Sequence, residues 1–557
     1  MYALYDITGI QKYVFSSNTL KEIVGGSALL KDALSHTKLE KLLGCTGKLV
    51  YTGGGNAFIR FDGADESQWL DNYRAFNTEL SKELIIECPS LSLRAVVDDD
   101  SDADGCCPAR ALLRLFKKMA KAKLQLPDVR LTVLSLPSMA QDPHDRLPVV
   151  MLRPGYDAGD ELQPFSASRL QRIVCYNRNS SFGTGNNTSS GAKVMRDFRQ
   201  IAQTPDAERL DSCLAVIHID GNNMGKLVEH AIRVIRDEDL GESAREGRIA
   251  DFSTSIDDLF KNAVNTMWQA LCGPTVDAPG SQLRVIYQAG DDLTYVCQGS
   301  MALRSVELIF NRLIAGRIGN LSELSACAGI AYVHADFPFS DAYAMAKRCC
   351  KNAKTRAAQE HNLTGECIDV GYWVDYTVLM GGSSSDLPGS LTMRPLCYRR
   401  PRGDLPELKY DIRVVTALLK SLQERITAPG DLAKRELYAL RDTRVMACGF
   451  VAADGGRTPT ENSAVHEVVS RLESKNQVLY REYSLYEGAS APAEIVWSAA
   501  AAAPAALRTS RQYMFTLGDY YTNTGMHAAI LHDSRGNPTD VTPLYDAIDL
   551  LRIEVGL

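Results

Sequence analysis

The sequence has no long apolar run free of charge, no excess of basic residues and no C-x2-C cysteine spacing, and each absence removes a class of protein. No stretch of 18 charge-free apolar residues occurs, and the alanine-rich segment IVWSAAAAAPAALRT at 495–509 holds a proline and is too weakly apolar to cross a bilayer. The opening MYALYDITGIQ sets an acid inside an apolar, strand-like run, unlike a secretory leader, so a cytoplasmic protein without membrane attachment is expected. The formal net charge is −7, whereas a protein that grips nucleic acid with its own surface usually carries a basic balance. Nucleic acid is therefore expected to be held locally or through partners, and a small anionic substrate held on metal ions is compatible with an acidic site. The 14 cysteines are scattered and often lie in apolar runs, as Cys327 and Cys349 do, which predicts reduced and mostly buried thiols. Adjacent Cys106 and Cys107, with distant Cys175, have no C-x2-C beside them, so structural zinc is not expected. Asp100, Asp102, Asp104 and Gly105 reproduce half of a calcium loop, but Ala111 stands where the closing glutamate belongs. The histidines, His218 among them, form no serine or cysteine triad and carry no signal of their own.

What remains is a globular composition, 45% hydrophobic and 23% charged, long enough at about 150 residues per domain for three or four domains. Two parts of the chain follow one script. The first opens with the strand YALYD, ending at Asp6, and runs through a helix around 20–43 to YTGGGNAFIRF at 51–61. The second opens with CLAVIHID, ending at Asp220, and runs through helical stretches to YQAGDDLTYVC at 287–297. Laid together, the two hairpins pair Tyr51 with Tyr287 and Gly54 with Gly290, and set Gly55 and Asn56 against Asp291 and Asp292. Each is followed by a helix, an alternating strand (LSLRAVV; LSACAGIAYV) and a basic helix (ARALLRLFKKMAKAK; DAYAMAKRCCKNAKTRA). Strand, helix, hairpin, helix, strand is the ferredoxin-like order, and its recurrence reads as a duplicated domain. Loop composition marks RNSSFGTGNNTSSG between the units and GGSSSDLPGS at 381–390, and a strand is expected at ECIDVGYWV. Helical spacing then recurs in YDIRVVTALLKSLQERI, more weakly in HEVVSRLESKNQVLYREY, and again in the tail TPLYDAIDLLRIEV.

Asp220 stands where an apolar strand stops, and Asp291 and Asp292 stand at the turn of a two-stranded hairpin. In this topology the strand and the hairpin are neighbours, which brings three carboxylates together. Such acids repel unless a cation neutralises them, and hard oxygen ligands suit Mg2+ or Mn2+ with phosphate oxygens completing the shell. Two ions about 4 Å apart would activate an attacking hydroxyl and stabilise a pyrophosphate leaving group. DGNNMGKL leads into a helix whose first N–H groups suit phosphate. Asn222 or Asn223 is read as capping that helix or contacting ribose, and Lys226 as a phosphate ligand or a plain exposed lysine. Lys347, Lys351 and Lys354 share one helix face, opposite Tyr343, Ala346, Cys350 and Ala353, and Lys354 and Lys351 suit triphosphate oxygens. The candidate set is thus Asp220, Asp291 and Asp292 for catalysis and metal, with Gly221, Asn222, Asn223, Gly290, Lys351 and Lys354 for nucleotide.

DITGIQKYVFSSNTLKEIVGGSALL at 6–30, GGGNAFIRF at 53–61, HIDGNNMGKL with AGDDLTYVC, and SACAGIAYVHADFPFSDAYAMAKRCCKNAK resemble the large polymerase-like subunit of type III CRISPR effector complexes. LTMRPLCY at 391–398 looks like that family's junction after its second palm, and the GGDEF nucleotide cyclases are more distantly similar. The resemblance covers about residues 1–400. It implies an α+β chain of two ferredoxin-like palm domains: a degenerate first palm at 1–130, an irregular linker at 131–210, a catalytic second palm at 211–380 and a mainly helical C-terminal domain at 390–557. In that family the second palm joins ATP molecules 3′ to 5′ into cyclic oligoadenylates for antiviral defence. The resemblance implies that Asp220, Asp291 and Asp292 hold the metals, that Lys354 meets the triphosphate, and that the first palm, with Gly55 and Asn56 at the acid positions, is inactive and supplies a second ATP pocket or a docking face. No His-Asp pair stands ahead of the first palm, so single-stranded DNA cleavage is not expected. The turn reads AGDD where GGDD is common, which is tolerable if the alanine has a negative φ. Val228 lies where GGDEF cyclases have a guanine-reading polar residue, which disfavours GTP.

The leading expectation is a nucleotidyltransferase that condenses ATP with two Mg2+ or Mn2+ ions and releases pyrophosphate. A nucleotide-sensing scaffold subunit of an RNA-guided complex, without turnover, is the alternative. A template-directed polymerase would need a basic duplex channel, of which the composition gives little sign. The expected partners are nucleoside triphosphates and, in a complex, other effector subunits with guide and target RNA; a stand-alone enzyme would be a homodimer.

Overall fold

The computed structural model describes residues 1–89, 91–98, 107–125, 138–154, 162–178, 197–202, 213–273, 282–316, 324–360, 370–379 and 394–399, scattered positions within 412–423 and 546–553, and strands at 481–486, 494–498 and 512–515. The acidic run DSDADG, Cys106, nearly all of RNSSFGTGNNTSSG and all of GGSSSDLPGS lie outside the described residues.

The first unit runs β1 (Tyr2–Thr8), α1 (Ile10–Val14), α2 (Leu20–Ala33), α3 (His36–Leu43), β2 (Gly47–Gly53), β3 (Asn56–Phe61), α4 (Glu66–Glu87), β4 (Ser92–Val97) and α5 (Pro108–Gln125). The single helix expected around 20–43 is thus two, broken at Leu34 and Ser35. The expected linker is more regular than its composition suggested: β5 (Val149–Pro154) and β6 (Leu162–Ser166) form a hairpin, followed by α6 (Ala167–Arg178) and α7 (Phe198–Ala202). The second unit runs β7 (Cys213–Gly221), α8 (Met224–Asp237), α9 (Glu242–Cys272), β8 (Leu283–Ala289), β9 (Asp292–Gln298), α10 (Ala302–Ala315), β10 (Ala326–His334), α11 (Phe339–Glu360), β11 (Tyr372–Leu379) and β12 (Leu396–Arg399).

The duplication shows in the sheets. The first has the order β2-β3-β1-β4, and the second contains the same arrangement as β8-β9-β7-β10, extended by β11 and β12. Both hairpins also slip register at one place, between Leu49 and Tyr51 and between Val285 and Tyr287, so each has a bulge just before its paired tyrosine. Two ferredoxin-like palms in an α+β chain are what the repeat predicted. Sequence reading ended the second palm near 380, but β12 pairs with β11 and carries the sheet past that point.

β7 is apolar from Cys213 to Ile217 because both of its faces are covered. Ala215, Ile217 and Ile219 pack with α9 and α10 in one core, while Leu214 and Val216 face a core shared with α2, α11 and the first palm. A third core joins Tyr2, Leu4 and Phe58 of the first palm, with α5, to Ile232, Ile235 and Ile249 of the second. The palms are therefore one packed body. A polar cluster reinforces the joint: Glu246 of α9, 1% exposed, accepts from Tyr2, Lys48 and Arg60, each at 2.8 Å.

The C-terminal expectation needs a correction. Ile412, Val415 and Leu419, and Ala547, Leu550 and Leu551, are helical and pack into the second palm's core. The region also contains a three-stranded antiparallel sheet of β13 (Arg481–Tyr486), β14 (Glu494–Ser498) and β15 (Gln512–Phe515), so it is not simply helical. The helix expected through REY at 481–483 is the start of a strand; short apolar runs such as REYSLY and EIVWS do not distinguish strand from helix by periodicity. Among the described residues the cysteines form no disulfide and are mostly buried. Among the described residues, no helix is long and apolar enough to cross a membrane.

Candidate active site

Asp220 is the penultimate residue of β7, and Asp292 opens β9 after the Gly290–Asp291 turn. β9 pairs with β7 as far as Ile219↔Leu293, so Asp220 and Asp292 sit side by side at the end of the ladder. Gly290 has a φ of 59°, which glycine adopts freely, and Ala289 stays in the strand, so the AGDD turn needs no second glycine. Gly221 provides the room for Asp291: a Cβ there would lie 2.9 Å from Asp291 Oδ2 and 2.7 Å from Met224 Cγ. Sequence and topology thus bring together the three carboxylates they predicted.

The acids carry the electrostatic mark of crowding. Burial, and after it the charge of Asp220, pushes Asp291 up to about 7. The same two causes push Asp292 up to about 6, against the hydrogen bond it accepts from Gln11. Asp220 Oδ2 pairs with Lys354 Nζ at 2.7 Å, and the same ammonium donates to the Gly221 carbonyl at 2.8 Å. Burial works to lower the Lys354 pKa, but the adjacent Asp220 charge wins and raises it.

The remaining predicted residues take distinct places. Asn222 turns inward, 3% exposed, its amide donating to Ser325 Oγ and the Gly371 carbonyl, which commits that nitrogen to the fold. Asn223 is the residue before α8, in the left-handed region with φ 52°, and makes no side-chain cap. Lys226 and Lys351 are exposed. Of the lysine face on α11, Lys354 reaches Asp220 and Lys347 donates to Gln11. The opposite stripe of Tyr343, Ala346, Cys350 and Ala353 is buried against the sheet, as its spacing indicated.

Two residues at the site escaped sequence reading. Gln11 of α1 donates from Nε2 to Asp292 Oδ2 at 3.1 Å. His218, two residues before Asp220 and on the same face, is 2% exposed; its Nδ1 lies 3.2 Å from Thr294 Oγ1 and 3.4 Å from Asp292 Oδ1. Burial lowers its pKa to about 4, so the ring beside Asp292 is neutral at physiological pH. A third, Lys123, was seen only as part of a basic helix. Its Nζ lies 2.5 Å from Asp6 Oδ2, repeating in the first palm the Lys354–Asp220 pair of the second. Among the described residues, no acid pair completes that site. Gly55, φ 83°, and Asn56 occupy the turn, and Ile10 Cδ1 would be 2.5 Å from a Cβ on Gly55.

Among the described residues, no group of three or more His, Cys, Asp or Glu side chains is already drawn into a metal-holding arrangement. The acids nevertheless fit a divalent cation. Asp292 Oδ1 is buried without a hydrogen-bond partner, and Asp291 and Asp292, raised by burial and then by the Asp220 charge, are carboxylates whose ionised form a cation would favour. Beside them, a cavity of about 480 Å³ lies between the palms, bounded by Gly54, Phe116, Met224, Val228, Gly290 and Asp291 among others. The two hairpin turns meet there, with Gly54 Cα 3.9 Å from where a Cβ on Gly290 would stand.

Residues 213–362 match the family model described as Cas10/Cmr2, second palm domain. No curated protein matches the chain. Similar solved structures include a Csm1–Csm4 cassette in complex with pppApApA, 14% identical with a TM-score of 0.49, the match covering 100% of this chain and 69% of that one. A Csm1–Csm4 cassette in complex with pppApA is 15% identical, with a TM-score of 0.46 and coverage of 85% and 64%. Csm1 of T. onnurineus is 14% identical, with the same TM-score and coverage. The chain thus spans less than two thirds of the length of the latter two.

Proposed function

From a second palm of the Cas10/Cmr2 type, we propose that this protein is a metal-dependent nucleotidyltransferase that joins ATP molecules, releases pyrophosphate and closes the product into a cyclic oligoadenylate or a related cyclic nucleotide. The observation that carries this reading is the convergence of Asp220, Asp291 and Asp292, with a buried carboxylate oxygen lacking a partner and two acids held near neutrality. Asp220, Asp291 and Asp292 would hold two Mg2+ or Mn2+ ions. Bound there, the ions would supply hydroxyl activation and charge neutralisation at the transferring phosphate.

The chain's own residues do the positioning. Lys354, now on Asp220 and the Gly221 carbonyl, is within reach of a triphosphate once the carboxylate turns to a cation. The first turn of α8 presents backbone N–H groups beside Asp220, and Gly221 and Gly290 keep the approach open. The cavity between the palms has apolar walls at Phe116, Met224 and Val228, which suits an adenine base and provides no polar group at Val228 to read guanine. The first palm keeps Asp6 and Lys123 without the acid pair, so its part is to hold a second ATP, not to activate it.

A non-catalytic, nucleotide-sensing scaffold within an RNA-guided effector complex is the second reading. It draws on one observation: Asp220 is paired with Lys354 instead of standing open beside the other acids. Pyrophosphate release separates the two. Purified protein given ATP and Mg2+ or Mn2+ is expected to release pyrophosphate, with GTP a poor competitor and Asp291→Ala/Asp292→Ala inactive. If no pyrophosphate appears even after target RNA and copurifying partners are added, the scaffold stands and the enzyme falls.

A further inference from the structure

Gln11 belongs to the first palm, yet its side chain lies in the second palm's site. Counting from the matched aspartates, Gly9 corresponds to Asn223, and both adopt left-handed backbone, φ 70° and φ 52°, where the chain turns into α1 or α8. Gln11 then corresponds to Gly225, which has no side chain, so the contact runs one way only. The Gln11 amide has two fixed partners. Its Oε1 accepts from the Lys347 ammonium, and its Nε2 donates to Asp292 Oδ2 at 3.1 Å. Because an ammonium can only donate, the amide is oriented without ambiguity, nitrogen toward the carboxylate.

We infer that Gln11 is a positioning residue for the second palm's cation site: supplied by the inactive palm, it fixes one oxygen of Asp292 and leaves the other as the ligand atom. The geometry supports this from both sides of the carboxylate. Oδ2 is held by Gln11, and Oδ1, with His218 Nδ1 3.4 Å away, is buried without a hydrogen bond. α1 is itself anchored: Tyr13 and Val14 are buried, and the Arg172 guanidinium of α6 donates to the Tyr13 carbonyl at 2.6 Å. Any shift between the palms would therefore move Gln11 on Asp292. Partners that orient a metal's ligands typically change metal affinity by about 10–100-fold when lost. The second palm's site is thus completed by a side chain of the first.

The inference rests on the metal-dependent reading, and its test does not need turnover. Free Mn2+ is followed by electron paramagnetic resonance as it binds the full chain, in wild type, Asp292→Ala, Gln11→Met and Gln11→Ala. Methionine keeps the length and packing of glutamine without its hydrogen bonds, so it separates positioning from mere contact between palms. The expected result is Mn2+ binding abolished by Asp292→Ala and weakened about 10-fold by Gln11→Met, with the metal-free melting temperature of Gln11→Met unchanged. Wild-type Mn2+ affinity in Gln11→Met overturns the inference. Mn2+ binding that ignores Asp292→Ala overturns the cation reading first, and the inference with it.

Discussion

Asp291 and Asp292 hold protons in the folded, metal-free protein that they would lose in the unfolded chain. Their pKa values of about 7 and about 6 lie above the ordinary 3.8, so between pH 4 and 7 the native state binds more protons than the unfolded state. Stability of the metal-free protein therefore falls as pH rises through that window and levels off above it. The expected outcome is a melting temperature that declines from pH 5 to pH 8 without divalent cation and recovers when Mn2+ is added at pH 8. Mn2+ affinity should rise across the same range, because binding must displace those protons. Asp291→Asn or Asp292→Asn should each reduce the pH dependence of binding, and should cut activity by more than about 100-fold, beyond what loss of a supporting residue costs. The acid trio was legible in sequence because its signal is local: a strand that ends in Asp and a hairpin that turns on Gly-Asp-Asp. Gln11 and His218 were not. One reaches the site only through packing between domains, and the other looks like any strand residue until its face of the sheet is known.

The hairpins, the helices that cover them and the joint between the palms set where those acids stand. Glu246 tests the joint. It is nearly inaccessible and gathers Tyr2, Lys48 and Arg60 from the opposite palm, although Lys48 is 46% exposed and Arg60 26%, so water offsets part of the loss of their partner. Glu246→Ala is expected to destabilise the protein by about 2 kcal/mol, less than for a fully buried pair, and to lower the melting temperature in a single transition. Two separate transitions would show instead that the palms unfold independently. At this scale the sequence was a good guide wherever a pattern repeats: the duplicated order and the paired tyrosines correspond to observed elements, and strands stand where LSLRAVV and LSACAGIAYV were expected, although neither alternates in burial. It was a poor guide where there was no second copy to compare. The β5–β6 hairpin was hidden in a polar linker, and β13–β15 in a region expected to be mainly helical, where the segment read as helix overlaps only the first three residues of β13.

The two palms are copies of one domain that differ at their acid positions and pack around a shared core. One kept the acids; the other filled their place with Ile10 and a glycine turn, kept Asp6 and Lys123, and lends Gln11 to its neighbour. Helical positions from 412–419 and 546–553 close over the second palm, where Tyr376 donates to Asp546 Oδ1 at 3.1 Å. Such an arrangement would place two ATP molecules against one set of metal ligands, which is the central claim. Mass spectrometry of the products formed from ATP with Mg2+ or Mn2+, beside the Asp291→Ala/Asp292→Ala protein, tests it most directly. The account predicts adenylates joined with loss of pyrophosphate and lacking free triphosphate ends, absent from the double variant. ATP recovered unchanged in the presence of target RNA and all copurifying partners would contradict it.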